Sequence, residues 1–95
     1  MRVIPIKKLR EFWGQYTDAE DSLRTWYKVA EKARWTSLLD VRRTYPHADF
    51  VDPHHTVFNI GGNEYRLIAK IEYAHGLIFI EHVLTHKEYD GGKWK

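Results

Sequence analysis

The sequence contains no cysteine at all and only two serines, Ser22 and Ser37. Without cysteine the chain has no disulfide framework, no thiolate-bound zinc and no cysteine nucleophile. Both serines fall in helical or capping contexts, so a Ser-His-Asp triad has little support. The lack of disulfides also fits a reducing compartment.

Long apolar runs are missing as well. The N-terminal segment MRVIPIKKLREFW lacks the apolar region of a signal peptide, and no run approaches the roughly 18 residues of a membrane span. These absences predict a cytoplasmic protein with no membrane contact. The net charge of +2 is small, so it permits a polyanionic partner without requiring one.

What is present is enough apolar surface for a core. In a chain of 95 residues, 43% are hydrophobic and 15% are aromatic, which argues against global disorder. We find no internal repeat, low-complexity segment or linker. The sequence therefore predicts one small domain that spans residues 1–95.

The first third of the chain has helical spacing. Arg2–Ile4 is predicted as a short strand, and Pro5 suits the first position of a helix. One face of that helix is apolar at i, i+3, i+4 and i+7: Leu9, Phe12, Trp13 and Tyr16. Thr17 and Glu20 have the spacing of a capping box, which predicts a second helix from this point. We expect a helical hairpin whose apolar faces pack on a sheet.

The middle of the chain is less regular. Ser37 and Asp40 predict the cap of a short helix that runs to about Thr44. Residues 46–55 are predicted as a loop, with at most a brief strand at Phe50–Val51.

Residues 56–90 predict three consecutive antiparallel strands. A two-residue turn within Gly61-Gly62-Asn63 puts even residues of one strand opposite odd residues of the next. One face then holds Phe58, Ile60, Tyr65, Leu67, Ala69 and Ile71. The opposite, open face holds Asn59, Arg66 and Lys70 as neighbours. A second turn is predicted near 74–76, where a bulge would reverse the faces of the last strand, and this register stays open.

The polar groups at the end of this sheet suit RNA cleavage. Arg66 and Lys70 can bind a phosphate, and His86 can transfer a proton near neutral pH. Tyr89 can position the substrate or act as an acid, and Asn59 is a weaker contact. These groups suffice for metal-free attack of a ribose 2′-OH on the next phosphate.

Each of these residues also has a plain structural interpretation. Arg66 and Lys70 can form a solvated face, Tyr89 can anchor the tail, and His86 can be a surface or capping residue. The histidine pairs 54/55 and 82/86 match no ligand pattern of known geometry, so no metal and no cofactor are expected. Taken alone, these residues indicate a small α+β domain with possible nucleic-acid binding.

Two segments resemble a known family. FNIGGNEYRL at 58–67 and THKEYD at 85–90, within a match over almost the whole chain, are similar to HigB toxins of the RelE-like superfamily. The resemblance implies an α+β fold, with an N-terminal short strand and helical hairpin on a small antiparallel sheet. It also implies a ribosome-dependent mRNA endoribonuclease that is neutralised by a HigA-type helix-turn-helix antitoxin.

The resemblance also implies roles for individual residues. The family's sheet arginine falls on Arg66, and its terminal motif falls on His86, Tyr89 and Asp90. Arg66, His86 and Tyr89 are the predicted catalytic residues. The predicted substrate contacts are Lys70, Asn59 and Asp90.

One departure from the family keeps other functions open. Gly61 and Glu64 stand where relatives carry basic residues, so the hairpin tip is less positive. An alternative is a non-catalytic RelE-like module that binds antitoxin or RNA. A third is a protein–protein domain that uses exposed aromatics such as Trp94.

Overall fold

The protein has four helices and five strands. The structure is a computed structural model that describes all residues, Met1–Lys95. The strands are β1 (Arg2–Ile4), β2 (Asp49–Val51), β3 (His55–Ile60), β4 (Tyr65–Glu72) and β5 (Leu77–Thr85). The helices are α1 (Ile6–Gln15), α2 (Glu20–Lys32), α3 (Leu38–Thr44) and α4 (His86–Gly91). The helices all fall short of the length and apolar character that a membrane-crossing segment needs.

The strands form a single sheet in the order β1-β5-β4-β3-β2. β2, β3, β4 and β5 pair antiparallel, and β1 adds to β5 in parallel. The predicted α+β class is confirmed, with the N-terminal strand and the helical hairpin in their expected places. The parallel β1 makes the sheet mixed.

Helices α1 and α2 pack on one face of the sheet and form the main core with it. The buried residues of this core include Leu9, Leu23, Trp26, Phe58, Leu67, Ile78 and Ile80. The Trp26 ring meets the Phe58 ring edge to face, with centroids 5.2 Å apart. Such aromatic contacts supply much of the buried area that a small chain needs.

The first hairpin has the predicted sharing of faces, although four residues (61–64) join the two strands and not the predicted two. Phe58 pairs with Leu67, and Asn59 pairs with Arg66. The turn is closed because the Glu64 N–H donates to the Gly61 carbonyl at 3.3 Å. The central Gly62 has a φ of 69°, which a glycine adopts without strain.

Two helix starts differ from the predictions. Pro5 is the N-cap of α1 and not its first helical residue. Thr17 caps nothing, because Thr17–Ala19 form a 3-10 turn and Ala19 precedes α2 without a side-chain cap. The neighbouring Asp18 carboxylate instead accepts a 2.6 Å hydrogen bond from the Tyr65 hydroxyl. The predicted cap of α3 is confirmed, since Ser37 accepts from the Asp40 N–H.

The register of β5, which the sequence left open, depends on a bulge inside the strand. Ala69 pairs with Ile80 while Ile68 pairs with His82, so Glu81 is the extra residue of β5. A bulge of this kind re-aims the side chains that follow it. His82 is therefore paired with Ile68 on the open face of the sheet, which is the face opposite α1 and α2.

Helix α4 and the C-terminal tail fold back over this open face. Val57 and Ile68 lie on it and are buried, although neither belongs to the main core. Thr85 and Glu88 form a capping box that starts α4 directly after β5. The predicted polar cluster after the last strand is thus a short helix packed beside β4 and β5.

Candidate active site

Arg66 is the one buried Lys or Arg side chain of the chain, with 8% of its surface exposed. Its Nη1 donates to the carbonyl oxygens of Asn63 and Tyr65, each at 3.1 Å. Its Nε and Nη2 have no protein acceptor. Both atoms reach the surface. The one buried side-chain nitrogen or oxygen without a hydrogen-bond partner in this protein is Trp26 Nε1. The guanidinium is therefore held at one edge and keeps donors for a ligand.

The Tyr89 ring lies on the Arg66 guanidinium. The guanidinium carbon is 5.5 Å from the ring centroid, within the range of a cation–π contact. Burial, helped by the charge of Asp49, raises the pKa of the Tyr89 hydroxyl, and the nearby Arg66 opposes this. The raised pKa keeps the Tyr89 hydroxyl protonated at neutral pH, so this group can donate a hydrogen bond.

His86 and Asp90 form a pair one turn apart on α4. His86 Nδ1 lies 2.8 Å from Asp90 Oδ2, and both side chains are about half exposed. The main-chain N–H of His86 donates a hydrogen bond to the main-chain carbonyl of Glu64 at 3.1 Å, which connects the start of α4 to the hairpin turn. A carboxylate on Nδ1 sets the orientation of an imidazole and leaves Nε2 for proton transfer.

The two remaining predicted contacts lie at different distances from this group. Asn59 is directly opposite Arg66 on the neighbouring strand, and its Nδ2 is 3.5 Å from Asn63 Oδ1. Lys70 is four residues along β4, or roughly 13 Å from Arg66 by strand rise. Its Nζ lies 3.8 Å from a Glu72 carboxylate oxygen. The structure brings Asn59 to the site and does not bring Lys70 there.

Sequence analysis named Trp94 only as an exposed aromatic of a protein–protein domain, whereas the structure places it half-buried against Tyr89. Its ring stacks on Tyr89 at a 13° interplanar angle with centroids 5.1 Å apart, and its Nε1 donates to the Tyr89 carbonyl. A groove of about 460 Å³ runs beside it, lined in part by His82, Lys87 and Lys93. The available signal was the tail GGKWK, where a tryptophan stands between two lysines. Aromatic rings among cations are the usual means of binding single-stranded RNA.

Of the two histidine pairs that the sequence spacing suggested, the structure brings together 54/55, with ring centroids 4.3 Å apart, and not 82/86. His82 lies on β5 and His86 on α4, where each has different neighbours. His54 and His55 instead converge on Glu81, and these three residues are the one group able to hold a metal ion. Glu81 was missed because its position depends on the β-bulge.

These groups are of the chemical kinds that phosphodiester cleavage needs. Arg66 is a fixed cation, Tyr89 carries a protonated hydroxyl, and His86 carries an imidazole in contact with Asp90. Electrostatic stabilisation of the charged transition state is usually the largest catalytic contribution.

Comparison with known proteins identifies the family. Residues 19–92 match the HigB toxin family, the RelE-like toxic component of a toxin–antitoxin system. This chain belongs to the HigB toxin family. The match confirms the predicted family, and the family description implies an antitoxin as a partner of this HigB-family toxin.

Named relatives cover nearly the whole chain. The mRNA interferase toxin HigB of Escherichia coli K12 is 30% identical over 93 residues, which are 95% of this chain and 88% of the relative. The mRNA interferase HigB of Escherichia coli O6:H1 is 26% identical over 92 residues, which are 95% and 89% of the two chains. The similarity therefore includes both the hairpin with Arg66 and the segment with His86 and Tyr89.

Proposed function

We propose that this toxin cuts mRNA in the ribosomal decoding site, by attack of a ribose 2′-OH on the adjacent phosphate. The chain belongs to the HigB family and is similar to proteins named mRNA interferases, so it is an mRNA endoribonuclease. We further propose that cleavage requires the ribosome, that it proceeds by 2′-OH attack, and that the residues named below have the roles given there.

The observation that carries the mechanism is the position of Arg66 beneath Tyr89. Its unpaired Nε and Nη2 offer two donors for the non-bridging oxygens of the scissile phosphate, where charge grows in the transition state. Asn59, directly opposite, contacts the same nucleotide. Lys70, farther along β4, binds a different phosphate of the same RNA.

Two protons must move during the reaction. The 2′-oxygen loses one as it bonds to phosphorus, and the 5′-oxygen gains one as the P–O5′ bond breaks. His86 accepts the 2′-OH proton at Nε2 while Asp90 holds Nδ1, and it returns that proton to the 5′-oxygen unless the Tyr89 hydroxyl donates there. Tyr89, which is protonated, positions the phosphate or donates to the 5′-oxygen. The products are a 2′,3′-cyclic phosphate and a 5′-hydroxyl, and the nucleophile comes from the RNA itself.

The proposal includes the setting of the activity. The partner is a HigA-type antitoxin with a helix-turn-helix domain, and the substrate is ribosome-bound mRNA in the cytoplasm. Residues 1–95 act as one toxin domain.

A substrate with one atom removed tests the chemistry. Purified toxin is mixed with ribosomes programmed with mRNA, and with the same mRNA carrying a single 2′-deoxynucleotide at the mapped cut. We expect cleavage of the first only, with 5′-hydroxyl ends that require a kinase before ligation. Cleavage of the deoxy substrate, or 5′-phosphate ends, would refute the mechanism. Equal cleavage of naked mRNA would refute the ribosome requirement.

A further inference from the structure

A second group of functional side chains lies on the same sheet, away from Arg66. His54 Nε2 and His55 Nδ1 each lie 3.0 Å from a different oxygen of Glu81. His54 precedes β3, His55 begins it, and Glu81 is on β5. Because β4 separates β3 from β5, these side chains meet across an intervening strand.

The fold holds the three side chains in this arrangement. Glu81 is the bulged residue of β5, and its main-chain carbonyl accepts a 3.0 Å hydrogen bond from Lys8 Nζ of α1. The His55 side chain is only 8% exposed, whereas that of His54 is 39% exposed. The group is thus anchored at its base and open to solvent at one side.

We propose that His54, His55 and Glu81 bind a divalent transition-metal ion, with Zn²⁺ as the preferred ion. Two imidazole nitrogens and a carboxylate oxygen are a common zinc donor set. The three ligand atoms lie within 4.8 Å of one another. Tetrahedral zinc, with bonds of ~2.0–2.1 Å, needs them about 3.4 Å apart, so small side-chain rotations suffice. The fourth position stays open to water through the exposed side at His54.

This metal site is connected to the candidate active site through aromatic contacts. The His55 ring meets Trp94 edge to face, with centroids 5.1 Å apart. Trp94 in turn stacks on Tyr89. An ion that fixes the His55 ring therefore also fixes the tail against Tyr89. The ion restricts the movement of the C-terminal tail and takes no part in the proposed cleavage.

Calorimetry with Zn²⁺ tests the site on the full chain, with any affinity tag removed and with metal stripped by a chelator. We expect one ion per chain and a higher melting temperature with zinc. Glu81→Gln and His54→Gln should each weaken zinc binding by more than about tenfold, the loss that even an outer-shell partner can cause. His54→Gln serves as the second variant, because the His54 side chain is 39% exposed and we expect the fold to tolerate its replacement.

A matched control comes from the second turn. His75 Nδ1 lies 3.7 Å from Glu72 in an exposed pair that lacks a third ligand. His75→Gln should bind zinc as the wild type does. Equal affinity of wild type and His54→Gln, or an equal loss in His75→Gln, would overturn the proposal.

Tryptophan fluorescence tests the connection to the tail. Zinc should change the emission of the wild type, and Trp94→Phe should abolish this change while it keeps the calorimetric affinity. A zinc-induced change that persists in Trp94→Phe would show that the ion does not act on the tail.

Discussion

The Arg66 guanidinium carbon lies 5.5 Å from the centroid of the Tyr89 ring, which joins the hairpin to the C-terminal helix. Arg66 is also bound at Nη1 by two main-chain carbonyls. The guanidinium is therefore held at one edge by two main-chain oxygens and covered on one face by an aromatic ring. A cation fixed before the substrate arrives needs little reorganisation in the transition state.

Arg66→Lys should lower the cleavage rate by about 10²–10³-fold, because lysine keeps the charge and loses the planar fork of donors. The measurement is single-turnover cleavage of mRNA on ribosomes. Arg10→Lys, on the exposed surface of α1, is the control and should cleave as the wild type does. An Arg66→Lys rate within threefold of wild type would contradict the proposed role.

His86 and Asp90 should contribute unequally. His86→Gln removes proton transfer and should lower the rate by about 10²–10⁴-fold. Asp90→Asn leaves the imidazole in place and should lower it much less, because Asp90 only orients Nδ1. Both variants should fold, since both side chains are about half exposed. If Asp90→Asn were the more damaged enzyme, the roles of the two residues would need to be reversed.

Tyr89→Phe separates the hydroxyl of Tyr89 from its ring. The phenyl ring keeps the contacts with Arg66 and Trp94, so stability at neutral pH should change little. If the hydroxyl donates a hydrogen bond or a proton, the cleavage rate should fall at least tenfold. A full rate in Tyr89→Phe together with a loss in Tyr89→Ala would assign Tyr89 a stacking role alone.

The same variant yields a pH prediction for stability. Burial raises the pKa of Tyr89 above its ordinary value of 10.0. A group with a raised pKa stabilises the fold below its unfolded pKa, and this contribution is lost as the pH rises through the folded pKa. Wild type should therefore lose stability relative to Tyr89→Phe only above about pH 10. Urea unfolding of both proteins from pH 8 to 11 measures this, and a constant difference over that range would contradict it.

The sequence predicted the first hairpin well for a physical reason. Side chains alternate along a strand, so a tight glycine turn decides which residues of β3 and β4 share a face. That was sufficient to place Asn59 opposite Arg66. It was not sufficient for Lys70, because two residues on the same face of a strand can still be too far apart to bind one phosphate.

The capping boxes show where local pattern fails. Thr17-x-x-Glu20 and Thr85-x-x-Glu88 have the same spacing, yet only the second is a cap. Thr85 ends a strand and has the extended backbone that an N-cap requires, with φ −71° and ψ 161°. Thr17 follows α1 after a single residue and lies in a 3-10 turn. The bulge at Glu81 was likewise hidden, because it depends on how β5 meets β4 and not on local sequence.

Trp26 tests the packing between α2 and the sheet. Trp26→Ala should lower the free energy of unfolding by ~3–5 kcal/mol, because it leaves a cavity beside Phe58. Trp26→Phe should cost less than half of that, since it keeps an aromatic ring and removes an indole N–H that has no hydrogen-bond partner. Urea unfolding measures both. Equal costs would mean that the Trp26 N–H is satisfied in solution, by water or by movement of the neighbouring helix.

Two glycines with equally open surroundings should respond to alanine with opposite signs. A Cβ built at Gly14 or at Gly62 meets no atom within 4 Å, so neither change creates a steric clash. Gly14 lies in α1, where alanine should add about 0.5 kcal/mol to the free energy of unfolding by restricting the unfolded chain. Gly62 has a φ of 69°, where an L-residue with a side chain is strained, so alanine should remove ~1–2 kcal/mol.

Urea unfolding at neutral pH compares the two variants with the wild type. Gly62→Ala should also lower cleavage, because the same turn supplies the Asn63 carbonyl that holds Arg66. Gly14→Ala should leave cleavage unchanged. Gly62→Ala with unchanged stability and unchanged cleavage would contradict this prediction. The conformation of the turn would then not be what holds the Arg66 guanidinium in place.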